Sequence, residues 1–472
     1  MHSPINVAVV GHTNTGKTSL IRTLLRNSHF GHIANSAGTT RHVERATIQT
    51  DDTDVIALFD TPGLEDASTL LEILNQRFST TPRSEGLRNF LSCLDQYPDF
   101  EQEAKVLNQG MNCDALLYVI DVRFQLLEKY QDEIQILSWL GKPIIPVFNF
   151  VLSADAKVAE WRQQMIHYNL HASLEFDTVA FDFESEKRLY QKMQSVLETR
   201  YEQLQTLIQF RSEEWLRLCE SAIQRVVSLL ETSARYRIPA SSTSGHRDKQ
   251  TRQQTLQNDI RQFEQHCLSD ILSLFSFSDQ ELDIIQLPVS DGQWQLDLFS
   301  PQTLKMFGLN AGSSALAGAA AGAGLDLMVG GLSLGAAALI GATLGAGLST
   351  LKRYGKDISS ALLKQEWLCT TDTTLELLYL RGLDLLLHIT HRGHATPNQH
   401  TLSDYRQKAQ HTVSPAITYS VTLPENWSAI LDGIRSARID ASSDNAPLKK
   451  ARAALHDALA SQIQTTQKHM TH

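Results

Sequence analysis

Eight residues near the start, Gly11-His12-Thr13-Asn14-Thr15-Gly16-Lys17-Thr18, constrain the fold of this 472-residue chain more than any other stretch. Their spacing is G-x-x-x-x-G-K-[ST]; an apolar run, INVAVV, precedes them and a segment with helical apolar spacing, KTSLIRTLL, follows. A strand, a glycine-bearing turn and a helix in that order bring backbone amides and the positive end of the helix dipole to one point, which suits a phosphate group. Gly11 and Gly16 allow the backbone to approach closely, Lys17 extends a cation toward the phosphates, and Thr18 offers a hydroxyl oxygen to magnesium. Asn14, Thr15 and Ser19 lie in or beside the same turn and join the candidate binding set.

Further short apolar runs, VIALFD, ALLYVIDV and PIIPVFNF, each read as a buried strand, with EKYQDEIQILSWL and SEKRLYQKMQSVL as helical crossovers. The alternation predicts an α/β domain over 1–201, a mostly parallel sheet with helices on both faces. The stretch 67–111 is longer than one crossover needs and is expected to be a helical insertion. Asp60 closes the second apolar run, where a strand-end carboxylate can hold a magnesium shell, and Gly63 puts an amide nearby for a terminal phosphate. Gly38-Thr39-Thr40-Arg41 sits in a polar segment long enough to be a switch loop, one of whose threonines could complete the metal shell only when that phosphate is present.

In the stretches GHTNTGKT, GTTR, DTPGLED, LLYVIDVR and IPVFN, the first two hundred residues or so resemble the Era and TrmE group of translation-factor-class GTPases. Within that group the chain is most similar to a bacterial set in which the P-loop G domain precedes a long C-terminal domain of unknown function. The resemblance implies binding of GTP and GDP and magnesium-dependent hydrolysis. It makes Thr18, Thr40 and Asp60 the metal ligands, Thr40 being the switch threonine, and rests catalysis on Lys17, Thr40 and Gly63 with the loop amides. An asparagine at the Asn14 position can help such proteins hold a potassium ion near the phosphates. Leu64 follows Gly63, so the water-positioning glutamine of Ras-like enzymes is missing, as in the hydrophobically substituted members of the group. Glu65 and Asp66 are the nearest carboxylates.

The base end departs from the family pattern N-K-x-D, whose aspartate accepts hydrogen bonds from guanine N1 and N2. The run here is Asn149-Phe150-Val151-Leu152, which keeps only Asn149, and Asp155 stands beyond the expected acceptor position. A guanine donor face without an acceptor costs about 1 to 3 kcal/mol, enough to erode discrimination against adenine. Thr178-Val179-Ala180, after the strand candidate SLEFD, is the expected counterpart of the last base-contacting loop, with an amide of Val179 or Ala180 toward the guanine oxygen.

Beyond residue 201 the pattern changes. Residues 202–305 and 352–472 carry amphipathic helical spacing. Between them 306–351 is dominated by Ala, Gly and Leu: ten of the chain's 25 glycines fall between 312 and 347, and Asp326 is the one charge within 311–351. A glycine inside a helix costs about 1 kcal/mol relative to alanine, so tight packing must compensate. Gly318 and Gly322, Gly331 and Gly335, and Gly341 and Gly345 have the small-residue spacing of close helix contacts, and 306–325 and 327–351 are each long enough to span about 30 Å of hydrocarbon. The expectation is a Gly/Ala-rich helical hairpin that meets membrane lipid, with Asp326 at its turn and Lys305, Lys352, Arg353 and Lys356 on the cytoplasmic side. The alternative is a close-packed hairpin in a soluble protein. His388, His391 and His394 recur every third residue, but they close the apolar helix LELLYLRGLDLLLHI, and a cationic helix C-terminus explains them better than a metal site does.

Composition narrows the partners. The net charge of −10 supplies no global basic field, so DNA is not expected and RNA is disfavoured. Five scattered cysteines without a C-x-x-C argue against a disulfide framework or a zinc ribbon. The start, MHSPINVAVVG, lacks the basic region and length of a signal peptide, so a cytoplasmic protein associated with the inner face of the membrane is expected. The expected function is a nucleotide switch coupled to a membrane-associated helical region, with a second copy of the chain among its candidate partners. Two alternatives stand beside it: a membrane scaffold or remodelling protein with a structural or very slow nucleotide site, and an RNA-binding assembly factor.

Overall fold

The computed structural model describes residues 3–26, 43–51, 53–78, 81–151, 153–178, 183–240, 246–275, 289–290, 293–307, 309, 366–390, 421–436 and 446–470. The expected membrane hairpin beyond residue 309 lies outside the described residues, as do Thr39, Thr40, Leu152, Val179, Ala180, His391 and His394. The chain divides between Leu216 and Arg217 into two units.

The first unit is built on a six-stranded sheet of order β2-β3-β1-β4-β5-β6. Its strands are β1 (Ile5–Val10), β2 (Glu44–Thr50), β3 (Thr53–Asp60), β4 (Ala115–Asp121), β5 (Ile144–Asn149) and β6 (Leu174–Glu175). β1 pairs in parallel with both β3 and β4, and its near-continuous burial is what a central parallel strand covered on both faces requires. Alternation along β1 feeds two cores. Ala8 and Val10 join one apolar cluster with Leu70, Val106, Ile134 and Trp161, whereas Val7 and Val9 join another with Leu20, Ile21, Leu189 and Met193. The first cluster is covered by α2 (Ala67–Arg77), α3 (Arg83–Ser92), α4 (Glu101–Met111), α5 (Glu128–Ser138) and α6 (Val158–His167), the second by α1 (Lys17–Leu25) and α7 (Phe183–Val196). Among the described residues, the stretch 67–111 forms three α-helices and two short 3-10 turns. β2 runs antiparallel to β3 at the sheet edge. Only Ala46 and Ile48 of ERATIQT are buried, so β2 makes no apolar run of the kind that marks the other strands. Because the parallel strands share a direction, Gly11, Asp60, Asp121 and Asn149 all fall at or just beyond their C-terminal ends, the edge where α/β sheets hold ligands.

The described part of the second unit is mainly helical. It contains the end of α8 (Tyr201–Arg235), α9 (His246–Leu274), α10 (Pro301–Met306), α11 (Asp372–Thr390), α12 (Trp427–Ser436) and α13 (Ala446–Met470), with a two-stranded ribbon, Arg237–Ala240 against Glu366–Cys369. Its core gathers Val226, Leu230, Ile260, Leu268, Leu378, Leu386, Ile434 and Leu455. α11 is buried all round from Leu377 to Thr390, including Arg381, Asp384 and His388. The Arg381 guanidinium lies 2.9 Å from Glu264 Oε1 and 4.2 Å from the centre of the Trp294 ring. Burial pushes the Glu264 carboxyl up to about 7 despite that neighbour. His388 Nδ1 donates to the Asp384 carbonyl at 2.8 Å, a local bond of the helix end. Among the described residues no group of three or more His, Cys, Asp and Glu side chains could hold a metal ion, and no helix is long and apolar enough to cross a membrane.

Candidate nucleotide site

The loop between β1 and α1 owes its path to glycine. Gly16 takes φ +95°, and a Cβ there would stand 2.2 Å from Asn149 Nδ2, so neither the dihedral nor the space admits another residue. Asn14 stands exposed on the same loop with φ +65°. Thr15 Oγ1 donates to the His12 carbonyl at 3.0 Å. Lys17 is buried, and its Nζ donates to the carbonyls of Gly11 (3.1 Å) and His12 (2.8 Å). Burial pulls its ammonium down to about 8, against the opposing pull of Asp60, Glu133 and Glu65. A desolvated cation ringed by carbonyls is poised to be satisfied by an anion.

Asp60, at the end of β3, receives the Thr18 hydroxyl on Oδ2 at 2.5 Å. Its other oxygen, Oδ1, is buried without a hydrogen-bond partner among the described residues. Burial raises the carboxyl above its usual range, while the Thr18 hydrogen bond and Lys17 oppose the rise. One hydroxyl and one carboxylate with an unmet buried oxygen form a hard donor set that fits a magnesium ion.

The segment after Asp60 is docked onto the phosphate loop. A Cβ at Gly63 would lie 2.2 Å from Thr13 Oγ1 and 2.7 Å from Thr13 N, so this contact also requires glycine. Leu64 is fully buried; its amide donates to the Gly11 carbonyl at 3.4 Å, and its own carbonyl accepts from His12 Nδ1 at 2.8 Å. Thr13 Oγ1 donates to Glu65 Oε1 at 3.0 Å. The amides of Glu65 and Asp66 both donate to Glu103 Oε1, each at 3.2 Å, and the Asp66 side chain caps α2 through the Thr69 amide. His12, Glu103 and Glu133 are the residues that motif reading passed over. Their sequence signal is faint but real: a histidine in a variable position of the loop, and carboxylates on otherwise apolar helix faces.

At the base end, Asn149 is fully buried and engaged by the protein itself. Its Nδ2 donates to the Thr15 carbonyl at 2.8 Å, and its Oδ1 accepts from the amides of Phe150 and Thr178 (2.9 Å each) and from Thr178 Oγ1 (3.1 Å). It joins the phosphate loop to the loop that follows β6. Phe150 adopts φ +61°, and the Arg123 guanidinium, ion-paired with Asp121, lies 3.8 Å from its ring centre. Asp155 lines an open cleft with Arg123, Phe124 and Lys157.

A glycine-bearing phosphate loop, a helix-first Lys-Thr pair and a strand-end aspartate followed by a glycine docked on that loop define the site of a P-loop G domain. Residues 6–150 match the family described as 50S ribosome-binding GTPase. Residues 162–461 match the family described as a domain of unknown function, DUF3482, and the chain belongs to that family. Among curated relatives, the chain is similar to the tRNA modification GTPase MnmE of Mycoplasmoides gallisepticum, with 26% identity covering 36% of this chain and 41% of that protein. It is also similar to the GTPase Der of Campylobacter concisus, with 27% identity covering 33% of this chain and 27% of that one. The chain therefore spans well under half the length of these relatives. A crystal structure of Aquifex aeolicus Era overlaps 37% of this chain and 50% of its own at 21% identity, with a TM-score of 0.27.

Proposed function

We propose that this protein is a magnesium-dependent GTP-binding and GTP-hydrolysing switch coupled to a helical C-terminal region that associates with a membrane. The observation that carries the reading is the meeting of Lys17, Thr18 and Asp60 at adjacent strand ends: a desolvated cation, a hydroxyl and a carboxylate with an unmet buried oxygen. Thr18, Asp60 and, by resemblance, Thr40 would hold magnesium, which would neutralise charge on the phosphates. Lys17 leaves the carbonyls of Gly11 and His12 for the β- and γ-phosphates, and the Gly63 amide meets the terminal phosphate. Leu64 has no group to orient water, so that part falls to backbone amides; Asn14 would be the residue to hold a potassium ion near the phosphates. With Leu152 at the acceptor position, guanine preference rests on the amides of the loop containing Val179 and Ala180 and is narrower than in a domain with the full pattern.

Turnover measured with magnesium, with EDTA, and in potassium against sodium salts tests this reading. No GTP hydrolysis above background in magnesium and potassium would sink it as an enzyme. The membrane part is supported by the Ala/Gly/Leu composition of 306–351 and its basic flanks. Fractionation of cells making the full chain, or a version lacking 311–351, tests that part, and a full chain that stays in the soluble fraction overturns it. A second reading, assembly of an RNA particle, draws on the family description of residues 6–150, while the net charge of −10 weighs against it.

A further inference from the structure

His12 occupies a variable position of the phosphate-loop motif, where the motif itself demands nothing. Its imidazole is nevertheless held from both sides. Nδ1 lies 2.8 Å from the Leu64 carbonyl and 2.8 Å from Glu133 Oε1. Nε2 lies 3.0 Å from Lys129 Nζ, an ammonium that can only donate. Nε2 is therefore the acceptor, and the hydrogen sits on Nδ1, shared between a backbone carbonyl and a carboxylate. Glu133 is fully buried, and its second oxygen takes the Tyr118 hydroxyl at 2.9 Å. The edge of the imidazole meets Tyr130, with ring centres 5.4 Å apart. Lys129, His12, Glu133 and Tyr118 thus form one chain of hydrogen bonds that fixes the plane of the ring.

We propose that His12 is a positioning residue for the second switch: it holds the Leu64 carbonyl against the phosphate loop and thereby sets where the neighbouring Gly63 amide stands toward a terminal phosphate. The Leu64 amide contact to Gly11 is long at 3.4 Å, so the carbonyl contact is the tighter of the two that tie this residue to the loop. By the resemblance, the Gly63 amide meets the terminal phosphate, which a diphosphate lacks. The effect of His12 therefore belongs to the triphosphate and to turnover, not to the diphosphate. This inference rests on the GTPase reading given above.

The test uses the full chain with His12→Ala, His12→Asn and Glu133→Gln, and Lys17→Ala as a control for loss of nucleotide. Asn places its Nδ2 where Nδ1 stood, so it restores the donor without the ring. Three quantities are read: hydrogen exchange of the segment 61–66 without nucleotide, affinity for GDP and for a slowly hydrolysed GTP analogue, and kcat against KM. For His12→Ala we expect exchange in 61–66 to rise and kcat to fall, each about tenfold, with GDP affinity changed less than about twofold. His12→Asn should recover most of both, and Glu133→Gln should shift them less, in the same direction. Exchange in His12→Ala equal to wild type overturns the inference. So does equal loss in His12→Ala and His12→Asn, or a parallel fall in GDP and triphosphate affinity. If wild type binds no nucleotide, the GTPase reading fails, and the exchange measurement still decides whether His12 holds the switch.

Discussion

Both units of this protein bury charge, and they aim it differently. In the G domain Lys17, Asp60 and Glu133 lie near one another, but the first two keep unmet capacity, a cation resting on carbonyls and an oxygen with no partner. In the helical unit Arg381 and Glu264 face each other across 2.9 Å, and the Trp294 ring covers the guanidinium. The first arrangement opens toward the phosphate loop; the second turns inward on one ion pair, although Glu264 Oε1 and the terminal nitrogens of Arg381 also have no hydrogen-bond partner among the described residues. Buried charge alone therefore says little about function. What separates a site from a structural pair is whether the desolvated groups point at each other or at a common space.

Breaking the inward-facing pair should have the largest effect. Arg381→Met leaves Glu264 as a lone buried acid and should destabilise the helical unit by about 3 to 5 kcal/mol, whereas adding Glu264→Leu should recover most of it. Denaturant unfolding of the single and double variants measures this; equal stability of the two would show that the charges do not act as a pair. In the open site, Lys17→Ala should remove the nucleotide-dependent stabilisation, about 2.7 kcal/mol at a hundredfold excess of GTP over Kd, while leaving the nucleotide-free fold intact. A wild-type melting shift in that variant would remove the phosphate assignment.

Restoring the missing acceptor sharpens the contrast between the two ends of the nucleotide. Leu152→Asp should raise the preference for GTP over ATP by about 1 to 3 kcal/mol, read by competitive titration; no change would mean that the base is not read from this loop. The smallest effect is in the pH profile of Lys17. Its folded pKa of about 8 lies below the ordinary 10.5, so between these values the unfolded chain holds more protons. The nucleotide-free domain should therefore gain stability as pH rises through that window, while GTP affinity falls by up to about tenfold per pH unit. Proton uptake on binding at pH 9, measured by calorimetry in buffers of different ionisation enthalpy, checks the sign, and Lys17→Met should abolish it.

The parts that sequence made legible are contiguous. Residues 11–18 dictate their own turn, and Asp60 with Gly63 follow from a strand end, so neighbours along the chain carry enough information. The unread parts are pairings across the fold. His12 meets Glu133 only because α5 packs beside the phosphate loop, and the bonds that join Asn149 to Thr15 and Thr178 are announced by no motif. β2 escaped notice for a different reason, since a half-buried edge strand needs only two apolar residues. Arg381 hid inside an apolar helix because its partner Glu264 belongs to α9.

Asn149 also governs the order in which the domain can be made. One amide ties the backbone at residue 15 to the backbone at residue 178, and the chain leaves the ribosome from its N-terminus. The phosphate loop is synthesised early, yet its outer wall cannot be fastened until Thr178 has emerged, well past residue 150 where the match to the GTPase family stops. A nascent chain halted at residue 150 would hold the whole motif and still lack this fastening. Nucleotide binding should thus begin late and abruptly in translation, which makes the ligand a reporter of a finished domain.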